Sequence, residues 1–308
     1  PILITSYDNN ARLWNLKNNN VILLKGHTDV IWTAYFSPDG KNILTSSIDN
    51  TARLWDLQGN EIIVFKGHTA KLWDAKSSPD GKYIITGSDD CTARLWDLDS
   101  HEWQTLKGHA SQIYCVNFSP DGKHVVTAAN DGTVRIWNIK PDESTILKDH
   151  YSWVDDANFS PDGKLIVTAG YDYSARLWDA HGNHIRQLKG HTQYGVYSAR
   201  FSPNGNYIVT TCPPDRTVRL WDLEGKQLQV YEVPKETISG PKFSADSKYL
   251  LTKSSGNLIR LWDLKGNQIK LFKNSNDADF HPVEDYFITV STDSIARVYE
   301  ILDNEPHV

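Results

Sequence analysis

Apolar and polar positions alternate in short runs from one end of the chain to the other. In residues 33–66 the runs are TAYFS, NILTSS, ARLWDL and IIVFK, separated by PDGK, IDNT and QGNE. Period-two patterning in β-branched segments, punctuated by Pro, Asp, Asn and Gly, predicts four short antiparallel strands. No stretch sustains a helical stripe. The set then recurs: RLW ends at Trp14, Trp55, Trp96, Trp178, Trp221 and Trp262, RIW at Trp137 and RVY at Tyr299, so the steps are 41, 41, 41, 41, 43, 41 and 37 residues. One such sheet cannot cover both of its faces, so each unit must stack on its neighbours.

The motifs GH, SPDG and WD, in register at a period near 41, resemble the WD-repeat β-propeller family over almost the whole chain. The resemblance implies an all-β propeller of four-stranded antiparallel blades forming a single domain over residues 1–308. The chain starts in the second strand of a unit and ends after the third, which gives eight second–third pairs but seven first and seven fourth strands. That count favours eight blades with a truncated start. Seven blades, the commoner form, is the alternative, and it leaves residues 1–16 surplus.

The resemblance also implies an internal hydrogen-bond network in five units. Its members are His27, Thr45, Asp49 and Trp55; His68, Thr86, Asp90 and Trp96; His109, Thr127, Asp131 and Trp137; His150, Thr168, Asp172 and Trp178; and His191, Thr210, Asp215 and Trp221. The donor inventory supports a relay, since Trp gives one N–H, Thr accepts and donates onward, and neutral His accepts on one nitrogen while donating from the other. The same residue types could form an Asp–His–Thr nucleophilic triad, but catalysis needs one exposed nucleophile beside an oxyanion site rather than five copies. The sets are therefore expected to be structural. The pattern decays in the last two units, where the His is missing, Gly256 stands in place of Asp, and Tyr299 replaces Trp although Thr289 and Asp293 remain.

In WD-repeat proteins the start of the first strand and the residue before the turn Asp commonly face one surface around the channel. Here those positions carry Trp32, Trp73, Tyr114, Asp155 and Tyr197; Trp153 and Tyr194; and Tyr7, Asp89, Asn130 and Tyr171. A face this rich in Trp and Tyr is expected to bind a protein or peptide, the alternative being that the rings plug the channel mouth. The acids Asp74, Asp89, Asp155 and Asp156 would tint it negative and favour a ligand with Lys or Arg.

Composition narrows the partners. The net charge of −6, with basic residues dispersed over the repeats, argues against nucleic acid. No apolar stretch approaches the length of a membrane span, and no secretory signal is visible. Cys91, Cys115 and Cys212 have no metal or disulfide spacing, which fits a reducing, cytoplasmic setting. SPDG lacks the alternating oxygen ligands of a calcium loop, and His181 and His184 flank a turn with no third ligand, so no metal or cofactor is expected. The start at Pro1 and the absence of Met suggest a fragment or processed chain.

Phrases such as FSPDGK and TARLWDLQGNE are similar to those of bacterial, particularly cyanobacterial, WD-repeat proteins, whose propeller is often the C-terminal sensor of a larger signalling ATPase. The resemblance thus implies a non-enzymatic interaction module, fused upstream to a nucleotide-binding signalling domain. A stand-alone scaffold holding several partners is the alternative.

Overall fold

The computed structural model describes residues 2–5, 9–15, 20–139, 143–193, 195–233, 236–281, 286–291 and 296–301. Backbone contacts divide the chain into two compact units, residues 1–159 and 160–308. Apart from one 3₁₀ turn at Pro213–Asp215, the elements described are short antiparallel strands. Tyr7, Tyr194 and Asp293 lie outside the described residues.

The unit built on residues 31–65 is representative. Ile31–Phe36, Asn42–Ser47, Ala52–Asp56 and Glu61–Phe65 pair in chain order, with Thr45 opposite both Ala34 and Arg53. The SPDG turn closes the first hairpin: Ser37 Oγ donates to Asp39 Oδ1 at 2.6 Å, and Gly40 takes φ +68°, a conformation open to glycine. The Asp39 carboxylate caps the turn.

The eight-bladed expectation is corrected here. The finding is a seven-bladed propeller with four-stranded antiparallel blades. Counting second–third pairs overestimates the number, because a blade needs its first and fourth strands too. Among the described residues there are seven first strands, beginning at Ile31, Leu72, Ile113, Val154, Ser198, Ile238 and Ser275. Fourth strands also number seven, beginning at Asn20, Glu61, Trp103, Ser144, His184, Gln227 and Gln268. Six sheets are four-stranded, whereas Ile2–Lys25 lacks a first strand and Ser275–Glu300 lacks a fourth. The pair Ile2–Thr5 and Asn10–Asn15 is surplus to seven complements.

In the seven sheets that follow residue 30 the second strand is buried almost end to end, as in residues 43–47 and 84–88. Simple alternation predicts one wet face; stacking of sheets removes it. The third-strand indoles fill the gap between sheets. Trp55 packs with Ala11, Leu13 and Leu24, and Trp96 with Leu44, Leu54 and Phe65. In the second unit Trp221 packs with Val167, Leu177 and Leu188. Each indole buries roughly 150–250 Å².

Candidate functional site

The sets of His27, His68, His109 and His191 close in the same way. His27 Nδ1–H donates to Asp49 Oδ2 at 2.7 Å, the Thr45 hydroxyl donates to His27 Nε2 at 2.8 Å, and Trp55 Nε1–H donates to Thr45 Oγ1 at 2.9 Å. Asp can only accept and Trp can only donate, so this direction alone satisfies every member. In the sets of His68, His109 and His191 the corresponding distances are 2.8, 2.8 and 3.0 Å; 3.1, 2.7 and 2.9 Å; and 2.8, 2.8 and 2.8 Å. The threonines Thr45, Thr86, Thr127 and Thr210 are fully buried. A nucleophile needs access to substrate, which these hydroxyls lack.

Charge follows from this wiring. Burial pushes the carboxyls of Asp49, Asp90 and Asp131 up, but hydrogen bonds from their histidines and from Thr51, Thr92 and Thr133 outweigh it and hold them well below the usual carboxylate range. Asp215, under the same opposing effects, is lowered to about 2. Burial lowers His191, with Asp215 working against it. Folded values below unfolded ones mean stability that is present at higher pH and lost as pH falls. We expect the urea midpoint to begin falling below pH ~6.5 through His191 and to drop steeply below pH ~4 through the aspartates. A midpoint equal at pH 5 and pH 3 would contradict this.

Other sets carry an added arginine or lack the histidine. At His150, which is half-buried, Trp178 Nε1–H donates to Thr168 at 3.0 Å, and the buried Asp172 is paired with Arg176 Nη1 and accepts from Ser174 Oγ at 2.8 Å. In sister sheets the equivalent arginine reaches the fourth strand, as Arg53 does to Glu61 and Arg260 to Gln268. His184 stands at that place here and packs edge-on against Trp178 at 5.1 Å. Without a His, Thr252 still accepts from Trp262 Nε1–H at 2.8 Å, while the hydroxyl of Thr289 is buried with no partner among the described residues. One set gains a sulfur: ligand atoms of His191, Cys212 and Asp215 lie within 4.8 Å of one another. A metal there would compete with the relay, and burial first and foremost pushes the Cys212 thiol up to about 12. Cysteine spacing gave no sign of this grouping, because it forms across the sheet.

The predicted face is built on β-bulges. Register slips between Ile31 and Thr33, between Leu72 and Asp74, and between Ile113 and Cys115, so Trp32, Trp73 and Tyr114 are the extra residues. A bulge re-aims a side chain out of the strand's alternation. The three rings form an edge-to-face row, Trp32 to Trp73 at 4.8 Å and Trp73 to Tyr114 at 5.5 Å. Trp32 is 46% and Trp153 47% exposed. The neighbouring positions converge on the row, since Asp89 N–H donates to Lys71 O at 3.0 Å and Asn130 N–H to Gln112 O at 2.8 Å. Asp89 accepts from Trp73 Nε1–H at 2.5 Å and lies 3.4 Å from Lys71 Nζ, which sits over the Trp73 ring at 4.2 Å. In the second unit Tyr171 and Tyr197 stack at 5.2 Å.

Of the four acids, Asp74 and Asp156 are buried. Burial raises the Asp74 carboxyl, and Lys76 Nζ, 3.0 Å away, opposes it. The acidity presented by the first unit's face therefore comes from Asp89 and Asp155, both half-buried. Among the described residues no helix is long and apolar enough to cross a membrane.

Comparison with known proteins places these features. The family described as "IFT122 first beta-propeller" matches residues 99–306, and "WD domain, G-beta repeat" matches residues 18–56 and 59–97. Among curated proteins the chain is similar to Elongator complex protein 2 of Schizosaccharomyces pombe, with 27% identity over 137 residues, covering 39% of this chain and 18% of that protein's length.

Proposed function

The chain belongs to the WD-repeat β-propeller family, and from that premise we propose that it is a non-enzymatic module whose bulged aromatic row captures a protein or peptide. WD-repeat propellers are typically scaffolds for protein–protein interaction and generally bind proteins or peptides. The observation carrying the proposal is the row of Trp32, Trp73 and Tyr114, re-aimed by bulges in three successive sheets and flanked by Asp89. Aromatic side chains with a polar handle are what interfaces concentrate, and isolated packing needs no exposed Trp32. Asn130 and Trp153 belong to the same proposed face, and in the second unit Tyr171 and Tyr197 hold the corresponding positions. The latches of His27, His68, His109 and His191 act, on this reading, as fasteners that keep each sheet in shape.

Attachment to an upstream signalling ATPase, for which this module would be the sensor, is part of the proposal. It rests on the likeness of repeat phrases such as TARLWDLQGNE to bacterial sensors. The second reading, a constitutive scaffold, is favoured by the likeness to a protein named as a component of a complex. Affinity capture with wild type and Trp32→Ala/Trp73→Ala as baits tests the face. The double variant should keep its circular dichroism spectrum and lose the captured partner; equal capture by a folded double variant would refute the assignment.

A further inference from the structure

The aromatic row ends on an unbalanced charge. Asp155 is half-buried and, among the described residues, makes no hydrogen bond or ion pair. Its nearest charged influence is Asp156, of the same sign. Tyr114 lies in the fields of both Asp155 and Asp89. Burial and Asp156 together raise the Asp155 carboxyl to about 7, so it is poised to ionise when a cation arrives.

One sheet earlier, the same face already answers this need. The Lys71 ammonium sits over Trp73 and beside Asp89, so ring and carboxylate share one cation. The equivalent positions at Tyr114 hold no charge: Gln112 replaces Lys71 and Asn130 replaces Asp89, and these two amides bond each other at 2.7 Å. Ring and carboxylate are thus present at Tyr114 and Asp155, but among the described residues no cation pairs with Asp155.

The geometry points to a recognition notch, formed by Tyr114 and Asp155 at the end of the Trp32–Trp73 row, that receives a lysine or arginine side chain from a partner polypeptide. This rests on the reading of the row as a binding face and names the chemistry the face selects. The ring would lie under the cation as Trp73 lies under Lys71, and Asp155 would complete a charge-assisted hydrogen bond. The adjoining Trp32 and Trp73 would pack the partner's apolar residues, so a basic residue next to an aromatic or aliphatic one is the expected motif.

The test is an array of heptapeptides with a central Lys, Arg, acetyl-lysine or Glu in varied flanks, probed with the full chain. Wild type should retain Lys or Arg peptides about tenfold better than their acetyl-lysine and Glu counterparts. Asp155→Asn should abolish that preference, and Gln112→Lys, which supplies an internal cation in the manner of Lys71, should block it. Wild-type preference should also grow between pH 6 and pH 8 as Asp155 ionises among Asp89, Asp156, Tyr114 and Lys71, and Asp155→Asn should flatten that rise. Peptides retained through Trp32 and Trp73 without preference for a cation would overturn the notch and leave the face standing. Retention of none would overturn both.

Discussion

Replacing Arg176 by methionine is expected to destabilise the chain by about 3–5 kcal/mol at neutral pH. The side chains of Asp172 and Arg176 are 0% and 4% exposed. Removing the guanidinium therefore takes the Arg176 charge from a carboxylate beneath the surface that also accepts from Ser174 Oγ at 2.8 Å. A lone surface ion pair would contribute far less. The loss should be pH-dependent in a sense opposite to the latches. Losing the cation favours the neutral acid over the carboxylate, so the deficit lies at high pH and shrinks as pH falls and the carboxyl protonates. Unfolding of wild type and variant in guanidinium chloride at pH 5 and pH 8 measures this. Adding Asp172→Asn should recover much of the loss, since it removes the charge that was stranded.

Thr86→Val carries the second large effect, with little change in side-chain shape. Valine fills the space of the threonine but neither accepts from Trp96 Nε1–H nor donates to His68 Nε2, bonds that are 3.0 and 2.8 Å long in the protein. Each buried group left without a partner costs about 1–3 kcal/mol, so the expected loss for two is roughly 2–6 kcal/mol. The chain contains its own controls. Thr252 serves the Trp262 indole at 2.8 Å in a sheet without the histidine, so Thr252→Val should cost about half as much. Thr289 carries a buried hydroxyl with no partner among the described residues, so Thr289→Val should be neutral or stabilising. Urea midpoints in the order Thr86→Val lowest, Thr252→Val next and Thr289→Val highest are expected; three equal midpoints would mean that the hydrogen bonds contribute nothing.

Much of this architecture was legible in the chain because it is stated repeatedly. The strands follow from alternation between turn residues, and the latch members stand at the same offsets from the His in the sets of His27, His68, His109 and His150. What escaped the pattern did so for identifiable reasons. Alternation cannot show where register slips, so the bulges that re-aim Trp32, Trp73 and Tyr114 were invisible although their positions could be read. Asp74 and Asp156 looked like surface acids because their place one residue after or beside the row hid the reversal that a bulge imposes. The blade count went astray because eight second–third pairs outnumber the seven first and seven fourth strands that blades require. At Asp172 a signal was present: His184 stands where sister units have Glu61, Gln227 and Gln268, the acceptors of their arginines, and Arg176 pairs with Asp172.

The central claim is a division of labour, in which buried histidine sets hold the sheets and the bulged rings bind. Calorimetric titration of one array-selected peptide into wild type, Trp32→Ala/Trp73→Ala and Thr86→Val tests it most directly. The expected result is that the aromatic double variant melts near wild type and fails to bind, whereas Thr86→Val melts early and, below its melting point, binds as wild type does. Binding that survives loss of both tryptophans but disappears with the Thr86 hydroxyl would contradict the account.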